Sequence, residues 1–310
     1  MSDLQVKENI FDIDLKICYG CNLNCLHCAV AGKSRSHIVS LEKIIEEIDY
    51  FKTISSERII ITGGEPTLHP KLISIVNYAS YAGFKDVHLQ TNAILLSDKI
   101  FVSKLQSSGL TSALVSLHGH IEEIHDSIVN KKGAFRKTIL GIHNLLNHNI
   151  NISTNTVIRK KNINFLPEFI GFINAEFGNI RTICFSYPRI TGGASENFYE
   201  VITRYSEISP LLNLAFDTAN SHGIWCWVSD FPLCLLKNNE HHNSDVIPRN
   251  AAGLDPSKKD RVNDYQMLLQ TQKIKTDRCQ SCYLSPICLG IDLRYYQVFG
   301  DKELIPYDKP

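Results

Sequence analysis

Four cysteines lie within eleven residues near the start of this 310-residue chain, in the stretch CYGCNLNCLHC (18–28). Thiolates at such short spacing are typical metal ligands. Structural zinc usually takes two short cysteine pairs that a dozen or more residues separate. Here only three residues lie between Cys21 and Cys25, which is tight for two zinc-binding pairs.

Three of these cysteines have the spacing of another metal centre. Cys21, Cys25 and Cys28 are separated by three and then two residues. Three thiolates from one loop can bind three irons of a 4Fe-4S cluster and leave the fourth iron open for chemistry. We predict this arrangement, with zinc as the alternative. Cys18 is expected to be a buried strand thiol, since free cysteine is among the most buried residue types.

The composition excludes several classes of protein. The chain is 44% hydrophobic and 21% charged, and its 32 basic residues balance 32 acidic ones, so nothing indicates binding to nucleic acid or to a membrane surface. It carries no signal peptide and no apolar run near the roughly 18 residues that span a bilayer. We therefore predict a cytoplasmic protein whose clustered cysteines are metal ligands or catalytic thiols rather than disulfides.

Strand and helix patterns alternate around the first cysteine group. FDIDLKI reads as a strand before it, and a helical pattern follows, for which Ser40 is a candidate cap. Five further strand patterns, each followed by a helical one, are ERIIIT, DVHLQT, SALVSLHG, INISTNTV and RTICFSYP. The last helix is expected near 198–220. Six such units predict a parallel sheet or barrel whose working residues lie in the loops after the strands.

These motifs resemble those of the radical S-adenosylmethionine (SAM) superfamily. CNLNCLHC has the cysteine spacing of that family, with His27 at a usually aromatic position, and TGGEP (62–66) resembles its glycine-glycine-glutamate motif. SLHGHIEEIHDSIVNKKGAF is similar to a segment of the subgroup that carries an extra C-terminal cluster. The resemblance covers about residues 10–190 and the late cysteines.

The resemblance implies an α/β fold with two parts. A partial (β/α)6 TIM-like barrel is expected over residues 1–220, and a small auxiliary-cluster domain over residues 221–310. Within the second part, Cys279, Cys282 and Cys288 are spaced as in SPASM and twitch domains, although Asp292 stands where a full SPASM domain has another cysteine. With Cys234 as the fourth ligand, one auxiliary 4Fe-4S cluster is implied, with zinc as the alternative.

The resemblance also implies the chemistry. SAM would bind the open iron through its amino and carboxylate groups, and the glycines of TGGEP would let the backbone approach it. The implied SAM contacts are Gly63, Gly64, Glu65, Pro66, Asn92 and Ser116. One electron, from a donor such as flavodoxin or ferredoxin, would cleave SAM, and the 5′-deoxyadenosyl radical would take a hydrogen atom from the substrate.

Two positions depart from the family pattern. His118 replaces an aspartate, and Val129 replaces an arginine that in relatives helps to hold the SAM carboxylate. That role must then pass to another basic residue. The candidates are Lys131, Lys132 and Arg136.

Solitary residues in the second half offer weaker indications. Cys184 and Cys226 are expected to pack in the core, although a thiol that faced the cavity could donate a hydrogen atom and would suggest an epimerase. His241 and His242 lie in a polar stretch (237–278) and are expected to be exposed. This stretch is long for an ordinary connection, which would suit a lid or a partner contact.

The leading functional hypothesis is a radical SAM oxidoreductase or maturase that acts on a peptide. The same chemistry on a small metabolite, such as a sugar or a nucleoside, is the alternative. Only about ten residues precede the first strand, so we expect a separate leader-binding protein or direct capture of a peptide. A non-catalytic zinc scaffold is the hypothesis of another class, but such a scaffold has no need of Glu65 and the TGGEP glycines.

Overall fold

The computed structural model describes residues 12–53, 57–244 and 272–308, and the backbone of residues 251–254. The strands are β1 (Asp12–Lys16), β2 (Arg58–Thr62), β3 (Asp86–Thr91), β4 (Ser112–Ser116), β5 (Asn151–Val157), β6 (Thr182–Ser186), β7 (Trp225–Ser229), β8 (Ala251–Leu254), β9 (Lys273–Ile274) and β10 (Ile291–Asp292). The helices are α1 (Leu41–Thr53), α2 (Leu72–Tyr81), α3 (Lys99–Ser107), α4 (Glu122–Val129), α5 (Ala134–Asn147), α6 (Leu166–Phe177), α7 (Gly192–Glu196), α8 (Phe198–Val201), α9 (Tyr205–Ser221) and α10 (Leu293–Phe299).

Eight strands form one sheet in the order β7-β6-β5-β4-β3-β2-β1-β8. Every pair in this sheet is parallel, and β1 to β7 are neighbours in chain order. The six predicted strand-then-helix units are therefore present, and β7 and β8 extend the sheet at its two edges. The described part also contains an antiparallel hairpin, β9 with β10, near its C-terminal end.

The strands bury apolar side chains on the face that packs against the helices. Ile13 and Leu15 of β1 and Ile59 and Ile61 of β2 are completely buried.

Helix α1 begins at the predicted cap, since Ser40 Oγ accepts a hydrogen bond from Lys43 N at 3.3 Å. Among the described residues, no helix is both long and apolar enough to cross a membrane.

The C-terminal segment packs against the rest of the chain through aromatic rings. Tyr295 of α10 lies 4.1 Å from Tyr205 of α9, centroid to centroid, and its hydroxyl accepts a hydrogen bond from Tyr205 N. Strands β7 and β8, which follow the predicted boundary at residue 220, pair with β6 and β1. The division at that residue stays a prediction.

Two expectations from the sequence differ from the structure. The helix expected near 198–220 is divided into α8 and α9. His242 is completely buried instead of exposed, since its ring stacks on Phe216 at 4.3 Å and on Trp225 at 4.8 Å. The polar stretch here folds back onto α9 and β7. Residues 245–250 and 255–271 of that stretch lie outside the described residues, so its role as a lid or a partner contact stays a prediction.

Helix α5 approaches the loop after β3 so closely that one of its residues must lack a side chain. A Cβ at Gly141 would lie 2.4 Å from Ala93 O. One turn earlier, Thr138 Oγ1 donates a hydrogen bond of 2.9 Å to Asn92 O. Helix α5 thereby fixes the backbone at the carboxyl end of β3.

We expect Gly141→Ala to lower the free energy of unfolding by about 1 to 3 kcal/mol, because the new methyl group overlaps the Ala93 carbonyl. The matched control is Gly171→Ala in α6, where no atom lies within 4 Å of the added Cβ. That change should raise stability by about 0.5 to 1 kcal/mol through helix propensity. Thermal unfolding at one heating rate measures both shifts, and equal stabilisation by the two alanines would contradict the close approach.

Candidate active site

A cavity of about 380 Å³ opens at the carboxyl ends of β2 to β7. The loop after β1 and the residues that end these strands line it, which is the position expected for the working residues of such a sheet. The predicted site residues that line the cavity are Cys21, Cys25, Cys28, Gly63, Gly64, Glu65, Asn92 and Ser116. Pro66 is buried outside the lining, at the start of a 3-10 turn (Pro66–Leu68).

The cysteine loop places its three candidate ligands on the same cavity, close enough for their charges to interact. Cys21 and Cys25 pack beside Leu23 and Val129. The charge of Cys28 acts on both of these thiols, and the charge of Cys21 acts on Cys25. Burial raises the pKa of Cys21 to about 11 and that of Cys25 to about 12. Because the three thiols face one cavity, they fit a cluster that leaves one iron open.

Cys18 lies apart from these ligands. Its side chain is almost fully buried, and its thiol donates to Glu65 O at 3.4 Å. It does not line the cavity. This position agrees with the expectation of a buried strand thiol.

The glycines of TGGEP pack against the backbone of the cysteine loop. A Cβ at Gly63 would lie 2.4 Å from Cys18 O, and one at Gly64 would lie 2.4 Å from Tyr19 O. Two hydrogen bonds join the segments: Gly64 N donates to Cys18 O at 2.8 Å, and Glu65 N donates to Gly20 O at 2.7 Å. The sequence suggested that the glycines serve the approach of a ligand, whereas the structure shows that they are needed already for this contact.

The carboxylate of Glu65 is buried and accepts hydrogen bonds on both oxygens. Oε1 accepts from Thr67 N (3.1 Å), Thr67 Oγ1 (2.6 Å) and Thr91 Oγ1 (2.7 Å), and Oε2 accepts from Asn92 N (2.8 Å). Burial raises the pKa of Glu65, while these hydrogen bonds to the charged form act in the opposite direction. The carboxylate joins the loop after β2 to the end of β3.

Asn92 extends this network to the cysteine loop. Its Nδ2 donates to Asn22 Oδ1 at 2.7 Å and lies 3.9 Å from Cys21 Sγ, and its Oδ1 accepts from Ile94 N at 3.0 Å. The side chain thus connects Glu65 with a predicted cluster ligand. Sequence reasoning missed Asn22 and Thr91, since no local pattern marks partners so far apart in the chain.

Histidine rings form one wall of the cavity. His27 and His118 line it and meet edge to face at 5.2 Å, and His125 stacks on His118 at 5.8 Å. Burial lowers the pKa of His27 to about 3, that of His125 to about 4, and that of His118 well below its usual range. These rings are therefore neutral at physiological pH.

The basic residues expected to replace the missing arginine at Val129 lie elsewhere. Lys131, Lys132 and Arg136 are exposed and do not line the cavity. Arg136 forms a surface ion pair with Glu122 at 2.8 Å. The structure does not support the expectation that one of them reaches the cavity: the two lysines lie in the exposed connection between α4 and α5, and Arg136 lies on the exposed side of α5.

An ion pair that sequence reasoning missed lies at the opposite side of the cavity. Arg189 Nε contacts Asp230 Oδ2 at 2.9 Å, and Lys273 Nζ of β9 contacts Asp230 Oδ1 at 3.2 Å. Burial opposes ionisation of Asp230, but the two cations hold its pKa below the usual range. Arg189 and Asp230 both line the cavity, so the C-terminal hairpin is anchored at its edge.

The two solitary thiols lie in the protein interior. Cys184 and Cys226 are buried, and neither lines the cavity. Cys184 Sγ lies 3.5 Å from Ser186 Oγ. This position fits packing better than hydrogen-atom donation.

The four cysteines of the second predicted group come together. The charges of Cys279, Cys282 and Cys288 all act on Cys234, whose pKa burial raises to about 12. Backbone N–H groups of Gly290 and Tyr307 lie 3.4 Å from Cys288 Sγ and Cys282 Sγ, respectively. Such contacts suit thiolate ligands of a metal centre.

Asp292 has a structural role in place of the cysteine of a full SPASM domain. Its Oδ1 caps α10, accepting from Arg294 N at 2.8 Å and from Tyr295 N at 3.3 Å.

We expect Glu65→Gln to lower the free energy of unfolding by about 1 to 3 kcal/mol. The amide nitrogen of glutamine is a donor, and it would face at least one of the N–H or O–H groups that now donate to the carboxylate. Glu57→Gln is the matched control, since Glu57 is exposed and forms a surface ion pair with Lys85. Chemical denaturation of both variants measures the difference. Equal stability of the two would show that the network does not hold the site.

The chain is similar to a protein-family model and to several curated proteins. The family model of the Radical SAM superfamily matches residues 15–173, about half of the chain. A curated relative, the AdoMet-dependent heme synthase of Methanosarcina barkeri, is 36% identical over 148 residues, which are 46% of this chain and 41% of the relative. A probable GTP 3',8-cyclase of Saccharolobus islandicus is 30% identical over 161 residues, 51% of either protein. The chain therefore spans about half or less of the length of these relatives.

Solved structures show the same fold. One is Streptococcus suis SuiB bound to the precursor peptide SuiA. Its alignment with this chain includes 97% of this chain and 75% of the SuiB chain, with a TM-score of 0.68 and 13% identity. Another is native anSMEcpe with bound AdoMet and a Kp18Cys peptide. Its alignment includes 96% of this chain and 92% of the anSMEcpe chain, with a TM-score of 0.68 and 15% identity. These similarities confirm the predicted α/β partial-barrel class. With its cysteine loop and TGGEP turn at one cavity, the chain belongs to the radical SAM superfamily.

Proposed function

We propose that this protein is a radical SAM oxidoreductase or maturase in which Cys21, Cys25 and Cys28 hold a 4Fe-4S cluster. One observation carries the proposal: these three thiols and the TGGEP turn line the same cavity. When bound there, the cluster and SAM would supply the one-electron radical chemistry that removes a hydrogen atom from a substrate. A donor such as flavodoxin or ferredoxin would provide the electron.

The residues around the three thiols fit the binding of SAM. The backbone of Gly63, Gly64 and Glu65 would receive its amino end, and Glu65 would hold that turn in place through its buried hydrogen bonds. Ser116 contributes a hydroxyl to the lining at the end of β4. The neutral rings of His27 and His118 close one side and would exclude water from the reacting groups.

We further propose that Cys234, Cys279, Cys282 and Cys288 bind one auxiliary 4Fe-4S cluster. The support is their mutual electrostatic contact and the backbone N–H groups directed at their sulfurs. Zinc in either cysteine group is the competing assignment. Iron and zinc analysis of the purified protein distinguishes the two assignments.

For the substrate we propose a peptide, of which one residue enters the cavity. Arg189, which lines the cavity, is partly exposed to solvent, so the remainder of a peptide could stay outside. Its leader would be recognised by a separate protein or by the surface around this opening.

A small metabolite is the second candidate for the substrate. The curated relatives favour it, because their names describe the synthesis of heme and the cyclisation of GTP. Deuterium transfer from labelled candidates into 5′-deoxyadenosine would decide between the two classes.

We expect anaerobically reconstituted protein to contain about eight irons and to release 5′-deoxyadenosine from SAM under reductant. Replacing Cys21, Cys25 and Cys28 with alanine should abolish this release and remove about four irons, because no thiolate then holds the cluster. Cys18→Ala is the matched control and should retain both. Iron analysis and chromatography of the nucleoside measure the outcome, and turnover by the triple variant would refute the proposed function.

The double variant Cys279→Ala, Cys282→Ala should lose the auxiliary cluster, about four irons, and should still cleave SAM in the absence of substrate. The reason is that these thiols do not line the SAM cavity. Iron content and 5′-deoxyadenosine formation are measured on the same preparation. Unchanged iron content would contradict the auxiliary site.

A further inference from the structure

Arg159 is a buried cation whose guanidinium group is only partly bonded. It lies two residues beyond the end of β5 and is 1% exposed. Its Nη2 donates to Glu200 O at 3.3 Å, but Nε and Nη1 have no hydrogen-bond partner among the described residues. A buried guanidinium in this state is costly unless a counter-charge completes it.

The surroundings of Arg159 indicate where that counter-charge belongs. The charge of Arg159 acts on Cys25 and lowers the pKa of that thiol, in opposition to burial, and it also acts on His27 and His118. The guanidinium therefore lies near the cysteine loop. Direct contacts lead to the same loop: Arg159 N donates to Asn162 Oδ1 at 2.8 Å, Asn162 Nδ2 donates to His118 O at 2.9 Å, and the His118 ring meets that of His27 at 5.2 Å.

The charge of Glu200 acts on Arg159, but its carboxylate forms no hydrogen bond with the guanidinium. Its side chain is exposed, and only its backbone oxygen contacts Arg159. In the described part of the chain, no carboxylate forms an ion pair with this guanidinium. Nε and Nη1 of Arg159 are therefore not engaged by any described carboxylate.

We propose that Arg159 is a positioning residue whose buried positive charge balances the negative charge of the cluster bound at Cys21, Cys25 and Cys28. This inference rests on the proposed function of that loop. A 4Fe-4S core with three thiolates is anionic and becomes more so when it accepts an electron. A cation beside it stabilises the reduced form, so Arg159 makes the cluster easier to reduce.

The test compares Arg159→Met, which keeps length but removes charge, with Arg159→Lys, which keeps charge. Both are made in the Cys279→Ala, Cys282→Ala background, so that a single cluster gives the electron paramagnetic resonance signal. The signal is titrated against potential without SAM. We expect Arg159→Met to lower the ratio of reduced to oxidised cluster at a fixed potential by about tenfold, which is about 59 mV. Arg159→Lys should keep most of the ratio.

Arg136→Met is the matched control, since Arg136 is an exposed arginine paired with Glu122, and it should leave the midpoint potential unchanged. An unchanged midpoint in Arg159→Met overturns the inference. So does an effect seen only as weaker SAM binding, which would assign the guanidinium to the SAM carboxylate.

Cluster assembly gives a second readout. Loss of iron in Arg159→Met, with normal iron and potential in Arg159→Lys, supports the role of charge, whereas loss in both variants overturns it. Absence of iron from the parent protein is a distinct result, because it removes the proposed function itself.

Discussion

The buried carboxylate of Glu65 is the contact on which the rest of the site depends. It accepts hydrogen bonds from Thr67, Thr91 and the backbone of Asn92, so it fixes the loops that follow β2 and β3 relative to each other. Asn92 then reaches the cysteine loop through Asn22. Since a buried charge is tolerated only where its acceptors are filled, this part of the structure has little freedom to rearrange.

Backbone contacts hold the cysteine loop from two further sides. Asn24 N donates to Val129 O at 3.1 Å, and Gly193 N at the start of α7 donates to Cys28 O at 2.9 Å. At position 129 the chain therefore contributes its carbonyl oxygen, whatever the side chain. The geometry of the loop therefore does not depend on which side chain stands at this position.

The sequence predicted those features that depend on local spacing. The cysteine loop, the TGGEP turn and the strand-then-helix units were recognisable because their residues lie within a few positions of each other. Burial of polar residues was not predictable in this way. Arg159 lies in the stretch RKKN, which reads as surface, and His242 lies in a polar run, yet both are buried by elements distant in sequence. Asn92 shows the same limit, since its partner Asn22 lies on a separate loop.

Charge makes the parts of the site depend on one another. The raised pKa values of Cys21 and Cys25 mean that both thiols are protonated at neutral pH until a metal binds. Binding releases these protons and places thiolate charge near the buried Glu65. The neutral histidines offer no compensation. The geometry of the loop is thus set by backbone hydrogen bonds and by Glu65, whereas the role proposed for Arg159 concerns the charge of a bound cluster. On that proposal, folding of the loop and reduction of the cluster rely on different residues.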